Sequence, residues 1–484
     1  MSESRSRLGL VTGATGHVGG RVVAELIERG WRVRVLSRSA AKVRGLDWGN
    51  HVVAEGESAG PGQVEVVEGN ADAAQDVARA LESVDVAWYL LHSMGASSDF
   101  AQEEREMAQV FAREGEKAGI SRFVYLGGLH PDGELSEHLA SRVEVGRVLL
   151  DSSVPTAALQ AGLVVGDGSS SFAMMRHLSE RLPGAVAPRW VRNRIQPIAI
   201  ADAVHYLVAS ADLGSEVNRA FDIGGPKAYE YASLLKEYAQ ATGLPGRVVL
   251  TAPVTTPQLG AHWVGLVTPV ESTLATPLIG SLLHDTVVHE RDIDDLVGPP
   301  PGGHTPLRAA IRSAVEGKDT RRWRRTLAST VAAVTVTAVV GGMATDPTTW
   351  WYRSLRKPAW EPPGWAFPVA WTALYADIAV VSALSLADLG EKEQAAQQRS
   401  YAIALGANLA LNAGWCVLFF AQRRPVLATV EAVALAASSA DLVRRSHAVS
   451  KEKGIALAPY AAWTTFAAAL CGSIARRNRR WPLR

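Results

Sequence analysis

Five apolar stretches crowd the last third of this chain, at 326–344, 364–387, 401–421, 425–443 and 454–474. Each holds about 20 residues, enough for a helix to cross the hydrocarbon core of a bilayer. Three carry no charged side chain; the second holds Asp377, and the fourth holds Glu431 with Asp441 near its end. A soluble domain built from the rest of the chain has too little surface to cover all five. The expectation is therefore a bundle of five transmembrane helices, which makes this a multi-pass membrane protein with the lipid bilayer as its first partner.

Tryptophan and charge divide the chain in the same way. Nine of the 14 tryptophans lie in the last third (Trp323, Trp350, Trp351, Trp360, Trp365, Trp371, Trp415, Trp463 and Trp481), whereas residues 1–319 carry most of the charge. At 484 residues the chain exceeds one typical domain. The expected division is a first domain with a substrate lobe at 1–297, a linker and basic juxtamembrane segment at 298–325, a bundle at 326–476 and a basic tail at 477–484. The run Pro299-Pro300-Pro301-Gly302-Gly303 suits a linker. Forty-nine Lys and Arg against 48 Asp and Glu leave a net charge of +1, without the basic surplus of a nucleic-acid binder. Two cysteines, Cys416 and Cys471, exclude a disulfide scaffold and a cysteine zinc site, and no metal centre is expected.

The first domain alternates strands and helices: strand 8–12, helix 17–29, strands 32–36 and 64–67, helix 77–81, strand 84–91, helix 100–118, strand 123–126, helix 136–150, strand 156–165 and helix 172–181. That alternation implies an α/β fold with a doubly wound parallel sheet of Rossmann type, fused to the all-α bundle. Thr12-Gly13-Ala14-Thr15-Gly16-His17-Val18-Gly19 joins the first strand to the first helix. Gly13 permits a tight turn, Gly16 lets the backbone approach a pyrophosphate, and Gly19 lets helix and strand pack closely. The N–H groups at the helix start would hold the phosphates. The second strand ends in Ser37-Arg38, with no acidic side chain for a ribose 2′-hydroxyl. Arg38 offers a guanidinium to a 2′-phosphate, which favours NADP over NAD; the plainer reading is a surface arginine at a strand end. Asn70-Ala71-Asp72, after the third strand, is expected to flank the adenine.

With this glycine pattern, residues 7–290 resemble the atypical short-chain dehydrogenase/reductase superfamily, in its NmrA-like and complex-I-subunit-like branch. Tyr89-Leu90-Leu91-His92-Ser93-Met94, Tyr125-Leu126-Gly127-Gly128-Leu129, Gln196-Pro197-Ile198 and Phe221-Asp222-Ile223-Gly224-Gly225-Pro226 extend the likeness. Many members use a Tyr-x-x-x-Lys pair, whose lysine lowers the tyrosine pKa for proton transfer. The matching helix here reads His138-Leu139-Ala140-Ser141-Arg142, and Gly127-Gly128 stands at the upstream serine position. His138 and Arg142 share a helix face, and a histidine can donate a proton near neutral pH. Two readings stand: His138 and Arg142 as catalytic residues, or a domain that binds nucleotide without turnover.

The bundle has its own likeness. Trp350-Trp351-Tyr352 runs through Trp360-Glu361-Pro362-Pro363-Gly364-Trp365 to Trp371-Thr372-Ala373-Leu374-Tyr375. Asn408-Leu409-Ala410-Leu411-Asn412-Ala413-Gly414-Trp415, Arg424-Pro425 and Pro459-Tyr460-Ala461-Ala462-Trp463-Thr464-Thr465-Phe466 follow. These motifs resemble the TspO/MBR family of tryptophan-rich sensory proteins and translocators, across all five spans. The resemblance implies a hydrophobic ring ligand such as a porphyrin, and admits a homodimer through the bundle. Trp371, Trp415, Trp463 and Phe466 would wall the pocket and Asn408 and Asn412 would supply amides. Interhelical bonding is the plainer reading of the asparagines. Trp323, Trp350 and Trp481 read as interface anchors. Alanine stands where a sterol-binding tyrosine is found in the family, in Phe466-Ala467-Ala468-Ala469-Leu470.

Basic residues fall ten to each side of the membrane, so the positive-inside rule does not orient the bundle. The polar residues 1–7 and the short apolar run 8–11 do not make a signal peptide. Nicotinamide nucleotides are cytosolic, so the first domain is expected on the cytoplasmic face of an inner or plasma membrane. The combined expectation is a membrane-anchored reductase-like protein with a ring-ligand site. The alternative is a non-catalytic NADP redox sensor or tetrapyrrole transporter.

Overall fold

The computed structural model describes residues 6–91, 100–131, 135–252 and 257–478. His92, Ser93 and Met94 of the segment quoted above, Trp481 and the tail from 479 lie outside the described residues. Contacts divide the chain into two units, Met1–Ala261 with Ser272–Lys318, and His262–Glu271 with Asp319–Arg484.

In the first unit, strands β1 (Leu8–Thr12), β2 (Arg32–Ser37), β3 (Val64–Glu68), β4 (Val86–Tyr89), β5 (Arg122–Gly128) and β6 (Thr156–Ala161) alternate with helices. The helices are α1 (His17–Glu28), α2 (Ala40–Arg44), α3 (Ala74–Leu81), α4 (Phe100–Ala118) and α5 (Glu137–Leu150). There follow β7 (Val164–Val165), α6 (Ser170–Arg181), β8 (Gly184–Pro188), β9 (Arg194–Ile195), β10 (Ile198–Ala199) and α7 (Ile200–Ala209). Then come β11 (Arg219–Ile223), β12 (Tyr229–Glu230), α8 (Tyr231–Ala241), β13 (Val248–Ala252), α9 (Pro257–Val267), which passes into the second unit at His262, and α10 (Ser272–Gly280). Helices α11 (Asp292–Val297) and α12 (Leu307–Ala314) complete the unit.

Seven strands form one sheet in the order β11-β6-β5-β4-β1-β2-β3, with every pairing parallel. Helices cover both faces, which is why β1 and β4 are buried along their whole lengths. Val22, Val23 and Leu26 of α1 pack on one face with Tyr206 and Leu207 of α7. Val77, Phe111 and Leu149, from α3, α4 and α5, pack on the other. Strand order reverses between β1 and β4, so their carboxyl ends flank the crevice where doubly wound sheets bind ligands.

Two strands differ from expectation. The run 156–165 breaks after Ala161, because the chain passes the Gln196 carbonyl; a Cβ on Gly162 would lie 2.7 Å from that oxygen. Its second part, β7, pairs with β10 instead. The fourth strand stops at Tyr89, and the Leu90 N–H leaves the ladder to donate to Thr12 Oγ1 at 2.9 Å. Residues 299–303 form a turn closed by the Gly303 N–H and the Pro300 carbonyl at 2.8 Å. Beyond it, Thr305 bonds Asp202 through its N–H and its hydroxyl, at 2.8 and 2.7 Å, and Arg308 of α12 pairs with Glu237 of α8 at 2.5 Å.

The second unit contains α13 (Arg322–Ala344), the short α14 (Trp350–Ser354), α15 (Ala366–Glu391), α16 (Ala395–Cys416), α17 (Pro425–Val449) and α18 (Lys451–Arg477). A π-helical turn, Val417–Ala421, prolongs α16. Five helices, of 23, 26, 27, 25 and 27 residues counting that turn, are long and apolar enough to cross a membrane. They outrun the apolar stretches because charged residues at their ends continue the helix while reaching past the hydrocarbon. The principal packings close a ring, α13-α15-α18-α17-α16 and back to α13. Val336, Met343, Val369, Ile403, Val430 and Ile455 are exposed, as lipid-facing residues are.

The segment His262–Glu271 packs within this unit. Leu266 joins Trp323, Ala383, Leu384 and Ala387, so Trp323 is buried against α15 rather than displayed at an interface. Lys453 and Asp388, essentially without exposure, form an ion pair at 2.5 Å. The Lys453 ammonium also reaches the Thr268 carbonyl at 3.5 Å.

Candidate functional site

The β1–α1 turn is shaped by what its glycines exclude. Gly13 adopts φ +66°, and a Cβ there would lie 2.5 Å from the Leu90 carbonyl oxygen. A Cβ on Gly19 would lie 2.3 Å from the Gly13 carbonyl oxygen. The Gly16 N–H closes the turn onto Gly13 O at 2.8 Å. Gly16 caps α1 in extended conformation without a side-chain bond, so the first-turn N–H groups are left to a ligand. An uncapped helix start behind a glycine cradle fits a dinucleotide pyrophosphate. When bound there, the nicotinamide cofactor would be held by this loop.

The loop opens on a cavity of about 580 Å³. Gly13, Thr15, Gly16, His17, Val18 and Gly19 line it, as do Arg38, His138 and Arg142. Ala14 is buried beneath the loop. Ser37 lies off the lining, its hydroxyl turned to the Ser39 carbonyl at 3.3 Å. Asn70, Ala71 and Asp72 also lie off the lining; Asn70 and Asp72 are exposed, and the Asn70 N–H donates to Asp76 at 2.8 Å. Among the described residues no carboxylate lines the cavity, which suits an anionic cofactor.

His17 fits between the glycine loop and the turn at Gly166–Gly168. A Cβ on Gly168, itself at φ +93°, would lie 3.0 Å from His17 Nδ1. Burial, and then the neighbouring Arg21 charge, push the His17 pKa down to about 4, so the ring is neutral at physiological pH. Its Nε2 is buried with no hydrogen-bond partner among the described residues.

On another wall, His138 and Arg142 project from α5, whose start is capped by Ser136 through the Leu139 N–H at 3.3 Å. Arg142 Nη2 donates to the Leu126 carbonyl at 2.7 Å, and the Tyr125 hydroxyl donates to the Arg142 carbonyl at 3.0 Å. Burial holds the Tyr125 hydroxyl above its ordinary pKa, so it stays protonated. A Cβ on Gly128 would come 3.1 Å from Leu139 Cδ2, which leaves little room for a side chain at that position. Sequence reasoning missed the far wall: Ser169 to Ser171, Met174, Ile195, Tyr231 and the 278–286 segment. These residues carry no motif and come together from α6, β9, α8 and α10.

In the bundle, the six singled-out residues fall into two groups. Trp371 packs on Tyr375 with ring centroids 5.3 Å apart, and the Tyr375 hydroxyl donates to Asn412 Oδ1 at 2.8 Å. Asn412 Nδ2 donates to the Tyr460 hydroxyl at 3.3 Å, which donates in turn to Asn408 Oδ1 at 2.7 Å. Asn408 Nδ2 reaches Ser438 and Ser439 at 3.2 and 3.1 Å. The amides thus link α15, α16, α17 and α18. Trp415 stacks on Phe419 at 5.3 Å, and Trp463 packs on both Phe466 and Phe367. The buried Trp463 Nε1 and both buried Glu431 carboxyl oxygens have no hydrogen-bond partner among the described residues.

Known proteins divide along the same line. Residues 13–152 match the NAD(P)H-binding family and residues 329–477 match the TspO/MBR family. The tryptophan-rich protein TspO of Chlorobaculum tepidum is 31% identical over 132 residues, 27% of this chain and 82% of that protein. The translocator protein of Bos taurus is 35% identical over 122 residues, 25% of this chain and 70% of that protein. The triphenylmethane reductase of Citrobacter sp., solved with NADP(H), overlays at a TM-score of 0.48 and 15% identity, over 64% of this chain and 99% of that one. The chain belongs to the TspO/MBR family through its five membrane helices, and carries an NAD(P)H-binding domain ahead of them.

Proposed function

We propose that this is a membrane-anchored, NADP(H)-dependent reductase whose bundle binds a hydrophobic ring ligand such as a porphyrin. One observation carries the reading: a single cavity gathers the uncapped glycine loop, Arg38, His138 and Arg142. The loop binds the pyrophosphate and Arg38 takes the 2′-phosphate, which selects NADP over NAD. The nicotinamide, when bound, supplies the hydride. His138 holds the proton for the substrate oxygen, and Arg142, braced by the Leu126 carbonyl, orients the groups beside it. In the bundle, Trp371, Trp415, Trp463 and Phe466 offer aromatic walls to a flat ring. The first domain lies on the cytoplasmic side of an inner or plasma membrane, where nicotinamide nucleotides are, and the bundle supports a homodimer. The domain boundaries proposed are 1–297, 298–325 and 326–476.

A second reading is a non-catalytic redox sensor or tetrapyrrole transporter. It draws on the absent Tyr-x-x-x-Lys pair and on the commitment of Arg142 to a backbone carbonyl. Purified protein in lipid nanodiscs, given NADPH with menadione and separately with protoporphyrin IX, distinguishes the two. NADPH oxidation that fails in His138→Ala supports the reductase. Tight NADPH binding without turnover supports the sensor, and a protein that binds neither nucleotide overturns both.

A further inference from the structure

Tyr231 opens α8 and is 3% exposed, yet it forms part of the wall of the cavity that holds His138 and Arg142. Its hydroxyl is buried and has no hydrogen-bond partner among the described residues. Buried hydroxyls are normally paired, and one left unpaired weakens the fold. Burial also raises the Tyr231 pKa, so the O–H remains a donor.

The ring is held where it stands. The Tyr231 N–H donates to the Asn193 carbonyl at 3.1 Å, and Asn193 Nδ2 donates to the Leu282 carbonyl at 2.9 Å. β12, just before Tyr231, pairs antiparallel with β9, and the Thr286 N–H donates to the Arg194 carbonyl at 2.8 Å. The Trp190 ring packs beside it with centroids 6.2 Å apart. Around this fixed donor the wall carries no charge: Leu163, Met174, Ile195, Leu278 and Leu282 line it together with serines and Thr286. The cations of the cavity, Arg38 and Arg142, are those already given to the cofactor and to the Leu126 carbonyl of β5.

We propose that Tyr231 is a substrate-binding residue whose hydroxyl donates a hydrogen bond to the acceptor oxygen of an uncharged, largely apolar substrate. This rests on the reading of the cavity as a nicotinamide-dependent site. A site that buries a donor for one substrate oxygen discriminates against an analogue without it, because the donor is then left unpaired.

The test compares 2-acetylnaphthalene with 2-ethylnaphthalene, which lacks the oxygen, by calorimetric titration of the full chain in nanodiscs with NADP+ present. Wild type should bind the acetyl compound about tenfold more tightly than the ethyl compound, the worth of one hydrogen bond. Tyr231→Phe should erase that preference while leaving NADP+ affinity unchanged. Binding to the bundle is common to both proteins, so the difference between them reports the cavity. The melting midpoint of Tyr231→Phe should stay level or rise, because an unpaired buried hydroxyl is gone. Tyr125→Phe, which removes a paired hydroxyl, should lower it. No preference in wild type, or a preference that survives in Tyr231→Phe, overturns the assignment. So does a Tyr231→Phe protein that melts early and loses NADP+ affinity, since that marks a structural role. If wild type discriminates and Tyr231→Phe does not, but NADP+ fails to bind either, the assignment stands and the cofactor reading falls.

Discussion

The cavity of the first unit and the asparagine cluster of the bundle treat their polar groups in opposite ways. Around the cavity, polar atoms are kept unpaired: the α1 start is uncapped, and His17 Nε2 and the Tyr231 hydroxyl lack partners among the described residues. Inside the bundle, Tyr375, Asn412, Tyr460, Asn408 and two serines bond one another in an unbroken chain across four helices. The surroundings explain the contrast. A ligand entering the cavity can supply partners for such groups, whereas lipid offers none. Unpaired polar atoms in the bundle, at Trp463 and Glu431, therefore stand out more sharply than those at the cavity.

The severest way to break the contrast is to remove one side of the buried ion pair in the bundle. Lys453→Met leaves Asp388 buried without its 2.5 Å partner and should cost about 3–5 kcal/mol of bundle stability, read as a fall in melting midpoint in nanodiscs. An unchanged midpoint would mean that the pair is not buried in the membrane-embedded protein. Next is the cavity: Gly13→Val drives a side chain into the Leu90 carbonyl at a positive φ and should weaken NADPH binding by about 100-fold or more. The porphyrin binding proposed for the bundle should be unaffected, and parallel loss of both would show that the two sites do not act separately.

Arg38→Ala should raise the NADPH dissociation constant about tenfold and leave that for NADH unchanged; equal changes would remove Arg38 from 2′-phosphate recognition. Asn408→Ala cuts the chain between Tyr460 and Ser439 and should cost about 1 kcal/mol, within the range of interhelical bonds in membranes. The smallest effect concerns His17. Its ring stays neutral in the folded state down to about pH 4, whereas an unfolded histidine gains a proton below about 6.5. The unfolded state therefore binds the extra proton in that window, and stability falls as pH drops from about 6.5 towards 4. With partial exposure discounted, the loss is about 1 kcal/mol or less. Denaturant titrations at pH 7 and pH 5 should show a shallower pH dependence in His17→Gln than in wild type.

Much of this architecture is legible in the residues. β1 and α4 lie where periodicity puts them, because a buried strand and an amphipathic helix announce themselves over a few residues. The glycine loop is legible for a related reason: Gly16 and Gly19 answer to the Gly13 carbonyl a few residues away, although Gly13 itself meets the distant Leu90 carbonyl. Five apolar runs likewise specify five spans, since lipid tolerates few alternatives.

What the chain alone did not disclose depends on distance. The break after Ala161 follows from the carbonyl of Gln196, and the packing of His262–Glu271 with the bundle follows from Leu266 meeting α15, far along the chain. The cavity wall at Tyr231 is assembled by β9, α8 and the 278–286 segment, none of which carries a motif. The asparagines were visible as unusual, but their partners Tyr375, Tyr460 and Ser439 sit on three other helices. Sequence determines local geometry and the choice between water and lipid, because both depend on neighbouring residues. Only the tertiary structure decides which polar atoms end up paired and which stay open, because pairing needs partners that the chain brings together from afar.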